Sequence, residues 1–146
     1  MSLPAPPALP RLLAAVLALL MVLPGSGDLQ PQAVVEHLRL KVPASARAAW
    51  LEAERSSWEP WLQRQSGFRG RELLWDPGRE EGILLIRWAS REAWHAIPAA
   101  EVARVQEAFE ASARQALGAR GPGNPFPLRH AGELHLVGVT EESGAA

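Results

Sequence analysis

The residues of this chain best equipped for chemistry are two histidines and two arginines on segments that alternate like strands. His37 and His135 titrate near neutral pH, so either could serve as a general base. Arg39, two residues after His37, or Arg87 could hold the anionic or phenolate oxygen that such a base creates. A competing reading pairs Glu72 with Arg39 or Arg87 in an ion pair that serves structure alone. His37, His135 and Glu72 also carry metal-ligand atoms. However, no H-x-H or H-E-x-x-H spacing supports a site, and no metal is expected. The chain has no Cys, which excludes disulfides, thiolate ligands and a Cys nucleophile. It also lacks a Gly-rich phosphate loop, a nucleophile elbow and a glycosidase-type carboxylate pair.

These side chains need a scaffold, and the hydrophobic periodicity supplies one. Residues 34–42 alternate, with Val34, Glu36, Leu38, Leu40 and Val42 on one face and Val35, His37, Arg39 and Lys41 on the other. Pro43 ends that strand, and Ser45 is expected to cap the next helix. Over 46–65, Trp50, Leu51, Trp58, Trp61 and Leu62 recur at helical spacing. Pro60 predicts a kink or restart, with Ser56 and Glu59 at capping-box spacing. The three Trp of this helix read as core packing. Gly67 stops the helix, 68–76 forms a second strand, Pro77-Gly78 a turn, and 81–88 a third strand. Ser90 caps a short helix containing Trp94. After Pro98, a longer helix runs to about residue 117 and closes on Gly118. Residues 120–129 read as an irregular Gly/Pro connector and 133–139 as the final strand. His95 reads as a solvated helix residue and His130 as part of the connector, a lid at most.

The N-terminus reads as an address. Arg11 precedes twelve apolar residues at 12–23, Pro24 breaks the run, and Gly25-Ser26-Gly27 offers small residues to a peptidase. A bilayer-spanning helix needs about 20 apolar residues, so a cleaved secretory signal over 1–27 is expected. The protein is then exported, periplasmic or secreted; an uncleaved anchor helix is the alternative. What remains is a domain over 28–140 and a polar tail over 141–146. The formal net charge of −1 gives no footprint for nucleic acid or for stable membrane association.

Two words carry a resemblance: Gly67-Phe68, opening the second strand, and Arg87–Trp94, RWASREAW, which joins a strand end, a Trp, a Ser cap and a helix bearing a second Trp. They resemble the antibiotic-biosynthesis-monooxygenase-like superfamily, over 34 to about 109, with 133–139 supplying the last strand. Within it the chain looks most like a group of short bacterial proteins with no assigned activity. The resemblance implies an α+β, ferredoxin-like β-α-β-β-α-β sandwich that forms a dimeric α/β barrel. That superfamily includes cofactor-free oxygenases and haem-degrading enzymes. The haem-degrading branch uses an Asn on strand one, a Trp on the second helix and a His ten residues later. Here His37 stands in place of the Asn, Trp94 matches the Trp, and Arg104 stands in place of the His. Two of three depart, so haem degradation by that mechanism is not expected, and no cofactor is. The only Asn of the mature chain, Asn124, lies in the connector.

In this fold one sheet face packs under the helices and the other faces a cavity closed by the partner subunit. Leu38, Leu40, Leu73, Trp75, Leu84, Ile86, Leu134 and Leu136 form an apolar set suited to the helices. On the opposite face, the first strand offers Val35, His37 and Arg39, and the second offers Phe68, Glu72 and Leu74. The third offers Ile83, Leu85 and Arg87, and the last offers His135 and Val137. An apolar wall with few polar groups is pocket-like, and Trp88 and Trp94 would flank its mouth. The resemblance thus implies a homodimeric small-molecule-binding protein. The alternative is a cofactor-free oxygenase of a small aromatic or quinol-like substrate: His37 or His135 would take the phenolic proton, Arg39 would hold the anion, and Trp94 would wall the pocket.

Overall fold

The structure is a computed structural model and describes residues 33–140 and Gly144. The expected signal at 1–27 lies outside the described residues, as does nearly all of the tail at 141–146. Four strands form one antiparallel sheet: β1 (Val34–Lys41), β2 (Phe68–Asp76), β3 (Glu81–Trp88) and β4 (Leu128–Leu134), in the spatial order β2-β3-β1-β4. The helices are α1 (Arg47–Ser56), α2 (Trp58–Leu62), α3 (Arg91–His95) and α4 (Ala99–Leu117). This is the expected α+β, ferredoxin-like arrangement. No helix among the described residues is long and apolar enough to cross a membrane.

Alternation in β1 and β3 builds the core. Val34, Leu40, Val42, Leu84, Ile86 and Trp88 are buried on the face toward the helices. Trp50 of α1 lies flat over Gly82, where a Cβ would come within 2.7 Å of the indole. Trp58 meets Trp61 edge-on at 5.6 Å. Both contacts agree with a packing role for the helix tryptophans.

The restart near Pro60 occurs, but without the capping box. The helix breaks at Ser57, whose hydroxyl donates to the Ala53 carbonyl at 2.6 Å, and Ser56 donates to the same oxygen. Pro60 then falls within the first turn of α2, where its missing N–H leaves no bond unmade. Ser45 sits inside a 3-10 turn, Ala44–Ala46, and caps nothing. Ser90 does cap α3, accepting from the Ala93 amide at 3.1 Å, and Gly118 closes α4 in the left-handed region. The two words of the resemblance touch in space: a Cβ on Gly67 would lie 2.6 Å from that of Ala93.

Two registers differ from the sequence reading, and both move side chains between faces. In β2 a bulge falls between Phe68 and Gly70, with Gly70 at φ +118°. Phe68 therefore pairs with Trp88 and packs edge-on against its ring at 6.2 Å, on the helix side. The last strand runs over Leu128–Leu134 instead of 133–139. Phe126, fully buried against Phe109, anchors the chain just ahead of it, so pairing with β1 begins earlier. The alternating apolar run beyond it was a false strand signal: Leu136, Val137 and Val139 stand in solvent. Leu134 pairs with Val35 and so lies on the open face, away from the helices.

Candidate functional site on the two faces of the sheet

The open face carries most of the titratable side chains singled out in the sequence. His37 and Arg39 project from β1, Ile83, Leu85 and Arg87 from β3, and Glu72 and Leu74 from β2, as their pairings require. Arg39 bonds Glu81 at 3.2 Å, and Arg87 bonds Glu72. Of the two partners that the competing reading offered Glu72, the structure pairs it with Arg87. Against His37 stands His130, which the earlier start of β4 brings onto the strand opposite Arg39. Their ring centroids are 4.9 Å apart. Burial lowers the His37 pKa from its usual value, and the neighbouring His130 and Arg39 push it the same way.

The helix side carries the other half of the expected set. Trp88 is fully buried, Phe68 packs on it, and Trp94 packs from α3 onto the same core. These three cannot share a pocket with His37, because the sheet lies between them. Three carboxyls stand on this side, and Glu36, unlike Glu54 and Glu133, has no arginine partner among the described residues. It faces the helices because it pairs with Ile86, and its Oε2 accepts the Trp88 indole N–H at 3.0 Å. Burial pushes its pKa up to about 7, only partly offset by that hydrogen bond. Glu36 is nevertheless only half-buried.

Beside it on β4, Glu133 pairs with Glu36 and bonds Arg91 of α3 through Nε at 3.1 Å. His135 follows the end of β4, and its Nε2 lies 2.8 Å from the same Glu133 carboxylate. The Arg91 hydrogen bond, chiefly, holds the Glu133 pKa below the usual carboxylate value. Val137 is fully exposed beyond the strand, and Arg104 lines an open groove between α2 and α4 with Trp61, Arg64 and Glu101.

The sequence-derived pocket thus divides. His37, Arg39, Glu72, Leu74, Ile83, Leu85 and Arg87 share the open face, whereas Phe68, Trp88 and Trp94 lie on the helix side. His135 joins the helix-side edge through Glu133, and Val137 joins neither. Two residues stand in places that the sequence reading did not give a site role. Glu36 had a visible signal, a lone carboxylate in the middle of an otherwise apolar row. His130 had none, because the connector seemed to extend past it. Among the described residues, no group of three or more His, Asp or Glu is placed to hold a metal ion.

No protein-family model matches the sequence, and no curated protein matches it. Solved structures do. One is a monooxygenase from the gene ActVA-Orf6 of Streptomyces coelicolor, solved in complex with nanaomycin D. Its TM-score is 0.58 at 15% identity, covering 80% of this chain and 96% of that one. Another, from Bordetella bronchiseptica, is named as an antibiotic biosynthesis monooxygenase. Its TM-score is 0.52 at 17% identity, covering 73% of this chain and 98% of that one. The chain has the fold of the antibiotic-biosynthesis-monooxygenase-like proteins.

Proposed function

We propose that this is an exported, homodimeric protein that binds a small aromatic or quinol-like molecule on the helix side of the sheet, where Glu36 accepts a proton from its hydroxyl. One observation carries the reading: Glu36, half-buried and without an arginine partner among the described residues, is oriented by the Trp88 indole and has a pKa of about 7. A base works best when its pKa lies near the working pH, and burial has placed Glu36 there. Trp94, partly buried on the same side of the sheet, supplies aromatic surface there. The fold-mate from Streptomyces coelicolor holds nanaomycin D, a ligand consistent with that class. The titrating carboxyl also favours the oxygenase reading, with Glu36 as the base in place of His37 or His135.

The homodimer draws support from apolar surface on the open face, where Leu74 and Leu134 are exposed, and from Leu136 and Val139 beyond β4. Export rests on the sequence of residues 1–27 and is tested by the N-terminus of the protein recovered from its host.

The deciding experiment titrates the protein with 1,4-dihydroxynaphthalene under nitrogen and follows tryptophan fluorescence. Binding should quench it, and Glu36→Gln should remove the pH dependence of affinity around pH 7. In air, oxygen uptake above the uncatalysed rate, lost about 10²-fold or more in Glu36→Gln, would make the protein an oxygenase. Quenching without uptake leaves a binding protein. Affinity with the same pH profile in wild type and Glu36→Gln would remove Glu36 from the site.

A further inference from the structure

We propose that His37 and His130 form a two-imidazole site for a divalent transition-metal ion on the open face of the sheet. The site lies on the opposite side of the sheet from Glu36 and does not depend on the function proposed there. Both ligands belong to one chain, so it does not require a second copy either.

The pair is built by the backbone. Gly132 is the residue directly opposite His37, and Arg39 is opposite His130, so the two histidines are diagonal neighbours on one face. The His130 ring folds back over Gly132, and a Cβ there would lie 2.8 Å from His130 Nε2. Glycine at 132 thus opens the space that lets this nitrogen reach toward His37. The rings stand 4.9 Å apart and tilted by 54°, so they are not stacked face to face. Among the described residues neither imidazole has a hydrogen-bond partner.

Neutral imidazole nitrogens at this spacing suit Zn2+, Cu2+ or Ni2+, which favour nitrogen donors. A bond of about 2.0–2.1 Å from each ring would place one ion between them. Water fills the remaining positions. The groups facing the pair are Arg39, bonded to Glu81 at 3.2 Å, and, farther along the face, Arg87, bonded to Glu72. Arg39, whose strand position is opposite His130, is the nearest charge set against a cation, and Glu81 offsets it in part, as Glu80 does Lys41 farther along the same face. Calcium and magnesium, which need oxygen ligands, are excluded.

The test is titration of the full-length protein with Zn2+ by calorimetry in a non-coordinating buffer at pH 7.5, with imidazole 15N spectra recorded alongside. One ion per chain is expected, with the signals of His37 and His130 moving and those of His95 and His135 still. His37→Ala and His130→Ala should each weaken binding about tenfold or more. Gly132→Ala should do the same while keeping both rings, because its methyl group occupies the space of His130 Nε2. Arg39→Gln should tighten binding several-fold, a gain that loss of folding cannot mimic. Absence of zinc binding, binding that survives His130→Ala, or binding unchanged or weakened by Arg39→Gln would each overturn the site.

Discussion

The two faces of this sheet treat charge in opposite ways. On the helix side, Arg71 and Glu54 form an ion pair at 2.5 Å with side-chain exposures of 7% and 1%, and Glu54 also accepts the Trp50 indole N–H. On the open face, Glu72 and Arg87 form a pair of the same chemistry with exposures of 52% and 45%. Water screens the second pair and not the first. The helix side therefore makes each charge depend on its partner and shifts the pKa of any carboxyl it holds. Glu54 is raised, chiefly by burial, and Glu36 is raised to about 7 for the same reason. The open face leaves its charges adjustable, which suits a surface meant to meet an ion or another chain.

The largest expected effect that would test this contrast is Arg71→Ala. Removing one partner leaves Glu54 as an uncompensated buried charge, and the loss should be about 3–5 kcal/mol in urea unfolding. A loss under 1 kcal/mol would mean that water already reaches Glu54 and that the two faces do not differ.

Glu36→Gln comes next, and its sign depends on pH. The folded-state pKa of about 7 lies above the ordinary 4.5, so the folded protein holds an extra proton between those values. The stability Glu36 contributes is complete below pH 4.5 and is lost as pH rises through 7. The wild type should therefore lose up to ~3 kcal/mol relative to Glu36→Gln over that interval, and the difference should level off above pH 8. Unfolding midpoints that stay parallel across the range would place Glu36 in water.

The smallest effect belongs to Arg87→Ala, which should change the stability of the isolated protomer by less than about 1 kcal/mol and should weaken further in salt. The same substitution sharpens the comparison when measured against protein concentration. A larger loss that appears only at concentrations where a dimer forms would show that a second copy covers the open face.

How much of this could be read from the sequence varies from element to element. β1 shows His37, Arg39 and Lys41 at period two, so its faces followed directly, whereas β3 is a nearly continuous apolar run; the Ser90 and Gly118 caps followed from side-chain chemistry. The restart near Pro60 was legible for the same local reason. Phe68 was assigned to the wrong face because one bulge residue reverses the alternation, and the bulge depends on how β2 pairs with β3. The end of the chain misled more seriously. Residues 133–139 alternate better than 128–134, yet pairing starts at Leu128 because Phe126 is held against Phe109 on α4.

Consequently, the sequence by itself determined the order of elements, the antiparallel α+β fold and the chemical types available on each strand. Those are local properties, set by side-chain period, turn residues and caps. Only the tertiary structure decided which of those side chains meet. It separated His37 from Trp88 and Trp94 by the thickness of a sheet, brought His130 beside His37, and surrounded Glu36 with apolar side chains. Such contacts arise from register between strands distant in sequence. A slip of one residue there exchanges the two faces while leaving every local signal unchanged.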